Sequence, residues 1–156
     1  DKRSVGAAFG RGKLLRTTPA GGVEVIAAGL RFPMGFTANA EGELFASDNQ
    51  GVTNPFNEIN HLRPGKHFGF FNALEKRSRG AEVESAAIEI PHPWTGSVNG
   101  LSFIPPGEAF GPFAGQMLGA EYTTRRLVRM SFQAIGDTYQ GCVYPFGEAT
   151  KEAIEK

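Results

Sequence analysis

The sequence predicts an all-β chain, about two and a half four-stranded antiparallel blades of a β-propeller. Three observations lead there. Glycine at 21 residues and proline at 10 exceed average use, and phenylalanine at 13 far outnumbers tyrosine and tryptophan, a composition of many turns around an aromatic core. Short apolar runs of strand character alternate with Gly, Pro and Asn turns, whereas helical character is confined to the last few residues. The same order of runs then occurs twice, which is the signature of a repeated blade.

The elements follow in order. Gly12–Thr17 reads as a strand, Pro19-Ala20-Gly21-Gly22 as a turn and Val23–Ala27 as the returning strand of a hairpin. Gly29-Leu30-Arg31-Phe32-Pro33 leads out of it. Gly35–Ala38 and Glu43–Ser47 pair around the Asn39–Gly42 turn, and the second of these runs into Asp48-Asn49-Gln50-Gly51. An acid, two amides and a glycine at the mouth of a buried strand suit either a ligand or a tight loop. Glu58–Leu62 is the next strand, ended by Arg63-Pro64-Gly65, because proline fixes one dihedral and glycine supplies a positive one. Leu74–Ser85 is charged and reads as an exposed loop, and Ala86–Ile90 as the fourth strand.

The second pass is Gly100-Leu101-Ser102, Met117–Glu121, Arg126–Met130 and Thr138–Tyr144. Residues 12–28 are therefore expected to be the outer half of one blade, 35–90 a second blade, 100–145 a third and 146–156 a tail. Glu148–Lys156 alone has helical composition. Known rings use about four to eight blades. The chain is thus expected to be a portion of a ring, its open edges covered by remaining blades or another chain.

Composition limits the partners. Lys plus Arg and Asp plus Glu are 16 each, so no basic footprint points to nucleic acid or an anionic membrane. No run approaches the roughly 20 apolar residues of a membrane helix. The opening residues lack the apolar stretch of a signal peptide. Cys142 is the only cysteine, which excludes an internal disulfide and reads as a buried, inert thiol.

Each candidate carries a structural alternative. Asp48, Asn49 and Gln50 form a site or cap a strand through an Asx turn. Arg31 contacts a ligand or makes an ion pair between blades. Glu58 and Asn60 share a strand face, where a structural hydrogen-bond network is favoured. His61, His67 and His92 lack a second ligand at metal spacing and receive no catalytic role. Trp94 stacks on a sugar or, as the favoured reading, lies in the core. Glu121, Tyr122 and Arg125 end a strand as Asp48 does, so the repeat places them at the same mouth.

The combination Gly29-Leu30-Arg31-x-Pro33-x-Gly35, Gly42-Glu43-Leu44-Phe45, Asp48-Asn49-Gln50-Gly51 and Glu58–Gly69 resembles the glucose/sorbosone dehydrogenase family of six-bladed quinoprotein propellers. Phe110–Leu118 and Tyr139-Gln140-Gly141 look like a branch found in large multidomain proteins of environmental bacteria. The resemblance covers nearly the whole chain.

It implies pyrroloquinoline quinone (PQQ) and calcium as cofactors, a sugar or related alcohol or aldehyde as substrate, and a cytochrome or quinone as electron acceptor. It also implies an exported or periplasmic location. Cofactor contacts fall on Arg31, Gln50, Thr123 and Arg125. Backbone carbonyls of Gly51 and Val52 would meet the calcium, with Asp48 and Asn49 beside them, since that hard cation prefers oxygen donors. Phe32 stands where the family has an asparagine, Thr123 falls near a family lysine, and no histidine occupies the position of the family's base. Two other readings are a lactonase-like propeller, with Asp48 and Asn49 on a water-activating metal, and a non-catalytic module binding carbohydrate or protein.

Overall fold

The computed structural model describes residues 10–51, 55–71, 82–91 and 94–148. Among these described residues ten strands run in order: β1 (Lys13–Thr17), β2 (Val23–Ala28), β3 (Pro33–Ala38), β4 (Leu44–Asp48), β5 (Asn57–His61), β6 (Ile88–Ile90), β7 (Val98–Phe103), β8 (Met117–Glu121), β9 (Arg126–Ile135) and β10 (Thr138–Glu148). They form the hairpin β1-β2 and two four-stranded meanders, β3-β4-β5-β6 and β7-β8-β9-β10, in which every pair is antiparallel. The expected all-β order is therefore the one observed.

Alternation along the strands decides the layering. On β4, Phe45 points into one core, with Ile59, Ile88, Ile90, Val98, Met117, Val128 and Met130, while Ala46 points into the other, with Ala27, Leu30, Leu62 and Phe68. The first core joins the two meanders and the second fixes the hairpin against the first meander. Phe45 is fully buried among Phe103, Phe132, Tyr139 and His61, all with ring centroids within 5.4 Å of its own. His61 also sets its Nε2 2.9 Å from Glu43 Oε2 and its Nδ1 3.3 Å from Thr138 Oγ1, so this histidine ties the meanders together.

The ladder is irregular at the same place in both meanders, between Pro33 and Phe36 and between Val98 and Gly100. The Ser47 hydroxyl bridges the break, accepting from Gly35 N–H at 2.8 Å and donating to the Val98 carbonyl at 2.6 Å. A Cβ on Gly35 would lie 2.7 Å from Leu101 Cγ and 2.9 Å from Ser47 Oγ, so glycine is what lets β3 approach β7.

Two carboxylates close the turns beside these irregularities. Asp48, at the end of β4, accepts from the backbone N–H groups of Arg31 and Phe32 at 2.7 and 2.6 Å. Glu121, at the equivalent end of β8, accepts from Gly96, Ser97, Thr123 and Thr124 N–H and from the Thr124 hydroxyl, at 2.5–3.1 Å. Burial raises both carboxyls. In Asp48 it outweighs the hydrogen bonds, leaving the group above its ordinary value. In Glu121 the Thr124 hydroxyl and the backbone N–H groups prevail and hold it at about 2.

Four sequence expectations are corrected or fall outside the description. Cys142 is exposed, because β10 is the last strand of its sheet and nothing lies over that face among the described residues. Trp94 is 43% exposed rather than in the core, its turn lying over the outer strands. A short 3-10 helix, Glu108–Phe113, interrupts the β pattern around Gly111 and Pro112. β10 continues to Glu148, so only residues 149–156 of the expected tail, together with Val52 and His92, lie outside the described residues.

Replacing Gly35 with alanine is expected to cost about 1–3 kcal/mol through overpacking, read as a lower denaturant midpoint, and an unchanged midpoint would contradict the close approach of β3 to β7. For Glu121→Gln the expected loss at neutral pH is about 1–3 kcal/mol. Because the folded carboxyl is depressed, that loss should be complete above the ordinary value of 4.5 and should shrink as pH falls toward about 2. Denaturant titrations of both proteins across this range measure it, and a pH-independent gap would refute the assignment.

Candidate functional site

The Asp48 end of β4 and the Glu121 end of β8 lie at the same mouth of the two meanders, as the repeat predicts. Hydrogen bonds join them. Asn49 Nδ2 donates to Ser97 Oγ at 2.8 Å, Ser97 Oγ donates to Asn99 Oδ1 at 2.5 Å, and Asn57 Nδ2 donates to the carbonyl and hydroxyl of Thr95 at 2.9 and 2.8 Å. Gly96 lies so close to Thr123 that a Cβ there would meet Thr123 Oγ1 at 2.2 Å. The stretch Thr95–Ser97 is therefore the seam between the halves of the site.

Arg31 is exposed at this mouth, and its side chain folds back over Gly51, where a Cβ would come within 2.3 Å of Nε. Its Nη1 donates to the backbone carbonyls of Asn49, at 3.2 Å, and Gln50. The glycine at 51 thus gives the guanidinium its resting place. Gln50 is fixed from the other side, its N–H donating to Asn57 Oδ1 at 3.0 Å.

Asn49 Oδ1 and Gln50 Oε1 are buried and have no hydrogen-bond partner among the described residues. Such acceptors are costly in a folded protein unless something outside the chain meets them. Their chemistry, neutral amide oxygens, suits a hard cation or the hydroxyl groups of a polyol.

Sequence reasoning put Asp48, Asn49, Gln50 and Gly51 at one strand mouth and weighed Arg31 separately; the structure brings the Arg31 side chain against that stretch. Asp48 differs in orientation from a metal-binding reading: it is 3% exposed, and its carboxylate points inward onto the Arg31 and Phe32 N–H groups. Thr123 stands beside Gly96 on the β8–β9 turn. Arg125 is exposed on the same turn with a left-handed φ of 58°, a strained conformation for a residue other than glycine. Glu58 and Asn60 behave as neighbours on one strand, Asn60 Nδ2 donating to Glu58 Oε2 at 3.3 Å. His67 stacks on Phe71 at 4.3 Å and accepts from Gly69 N–H, its ring lying against Gly29.

Ser97, Asn99, Asn57 and Thr95 were not singled out from the sequence. Ser97 and Asn99 alternate around Val98, so a polar strand edge was visible in the pattern. That it meets Asn49 depends on the pairing of two meanders distant in sequence.

No protein-family model matches the chain, and no curated protein matches it. Solved structures do. The apo soluble aldose sugar dehydrogenase of Escherichia coli aligns with 83% of this chain and 43% of its own, at 19% identity and a TM-score of 0.61. The PQQ-bound aldose sugar dehydrogenase of Streptomyces coelicolor aligns with 84% of this chain and 39% of its own, at 22% identity and a TM-score of 0.59. A Thermus thermophilus oxidoreductase described as a glucose dehydrogenase aligns with 81% of this chain and 35% of its own, at 20% identity and a TM-score of 0.57. The chain spans less than half the length of each of these proteins. At these identities the likeness is one of fold, and its two meanders and hairpin are part of a β-propeller like that of the sugar dehydrogenases.

Proposed function

We propose that the chain is part of an exported, PQQ-dependent propeller that oxidises a sugar or a related alcohol or aldehyde and passes the electrons to a cytochrome or quinone. The observation that carries this reading is the exposed Arg31 guanidinium, seated on the Asn49 and Gln50 carbonyls beside two buried amide oxygens without partners among the described residues. The fold likeness to sugar dehydrogenases, one of them PQQ-bound, supports it.

The residues fit both groups in chemical type. Arg31 and Arg125 offer cationic, planar donors suited to the carboxylates and quinone oxygens of PQQ. Asn49 and Gln50, with the backbone of Gly51 and Val52, offer the oxygen donors calcium takes. When bound, the quinone supplies an acceptor for the hydride of the substrate carbon. The chain's own residues bind and orient. Arg31 holds an anion at the mouth, Asp48 fixes the Arg31–Phe32 backbone, and Asn49 and Ser97 connect the two blades behind it.

Electrostatics adds a condition. With the Asp48 carboxylate turned inward onto the backbone, the charged group in contact with the Asn49 and Gln50 carbonyls is the Arg31 guanidinium, so a calcium ion at those oxygens meets like charge beside it. An anionic ligand removes that penalty, and calcium and quinone should bind cooperatively. The inward Asp48 also argues against the lactonase-like reading, in which it would hold a water-activating metal.

Isothermal titration of the chain tests this. PQQ affinity should rise at least about fivefold with calcium present, as a coupling of 1–3 kcal/mol implies, and Arg31→Ala should lower it by about 10–100-fold, the strength of one or two charge-assisted hydrogen bonds. Absence of quinone binding with calcium present, or binding indifferent to Arg31, would overturn the proposal.

A further inference from the structure

At the opposite end of the two meanders from Arg31, a cavity of about 470 Å³ opens between the β3–β4 turn and the end of β7. Its walls are aromatic, formed by Phe103, Phe132 and Tyr139, with Pro105 and Pro106 at one side and Glu41 at the rim. The Phe132 and Tyr139 rings stand at 90° to each other with centroids 6.5 Å apart, and Phe103 closes on Phe132 at 5.8 Å and 46°. All three rings are only partly buried, their inner edges packed on Phe45. Packed on one another at the edge of the core, they form an open aromatic box on the cavity side.

The charge of the box is one-sided. Aromatic faces are negative at the centre of the ring, and the only charged residue in the lining, among the described residues, is Glu41, an exposed carboxylate. Glu41 is held in position, because Asn39 Oδ1 accepts from the Glu41 and Glu43 N–H groups at 3.1 and 2.8 Å, and Asn39 Nδ2 donates to the Tyr139 hydroxyl at 3.3 Å. A hydrogen-bonded turn thus carries a carboxylate at the rim of the cavity that the three rings line. The size falls within the usual range for small-molecule sites.

The geometry points to a second ligand site, distinct from the Arg31 mouth, that takes a small organic cation: an alkylated ammonium seated against Phe103, Phe132 and Tyr139, with its charge toward Glu41. Desolvated ammonium on aromatic faces is the interaction such a box favours, and a neutral molecule of the same shape forfeits both the ring and the carboxylate attraction. The site is independent of the quinone reading, since its residues lie at the other end of the strands.

The test is a titration of the full chain with choline and with its neutral isostere 3,3-dimethyl-1-butanol, followed by NMR of the Phe103, Phe132 and Tyr139 ring signals. Choline should shift all three rings and bind about tenfold more tightly than the alcohol, with the preference shrinking at high salt. Glu41→Gln, a change at an exposed turn that leaves the core untouched, should weaken choline several-fold without altering the alcohol. Equal affinity for the two molecules, no shift of these rings at millimolar choline, or indifference to Glu41→Gln would each overturn the assignment.

Discussion

Backbone N–H groups left over where β3 and β7 begin are the constraint on which the rest of the structure depends. Each meander starts with an irregular ladder, and each supplies a carboxylate from the end of its second strand to collect the donors released there. The solution is the same twice, with Asp48 and Glu121 in equivalent places, which is what a repeated blade requires. Ser47 adds the cross-blade connection by bonding to Gly35 and Val98 together. Buried donors without these acceptors would cost about 1–3 kcal/mol each. The mouth is therefore shaped by satisfaction of the backbone before any ligand enters it.

Much of this was legible in the sequence, and the reasons are local. Strands β1 to β10 follow from apolar runs bounded by Gly, Pro and Asn turns, and the internal repeat fixed their grouping. The strand-mouth position of Asp48 and Glu121 was equally visible. Their roles were not, because an aspartate after a strand reads alike as cap or ligand, and only the coordinates reveal that its oxygens face Arg31 and Phe32 N–H. Cys142 and Trp94 were assigned to the interior by residue type. Both lie where β9 and β10 have no sheet above them among the described residues, a matter of what neighbours the strand and not of the residue. The 3-10 turn at Glu108–Phe113 escaped because Gly111 and Pro112 signal a break without specifying its shape.

The aromatic composition acquires a meaning that counting alone did not give. Phe45 is the hinge of the core, and around it Phe103, Phe132, Tyr139 and His61 pack from both meanders. At one end this cluster is sealed by the His61 contacts to Glu43 and Thr138. At the other side of the same rings a cavity remains. One set of side chains thus serves as the join between blades and as the wall of a pocket.

The two latching carboxylates carry opposite proton affinities, Asp48 above its ordinary value and Glu121 far below. Linkage therefore gives them opposite signs: burial makes Asp48 favour its neutral form in the folded chain, so its opposition to folding eases as pH falls, whereas the grip of Glu121 on its four backbone partners weakens from the ordinary value of 4.5 toward about 2. Acid loosening of the fold is in this way assigned to the β8–β9 turn and not to the Arg31 end, so two blades of one wheel answer protons differently.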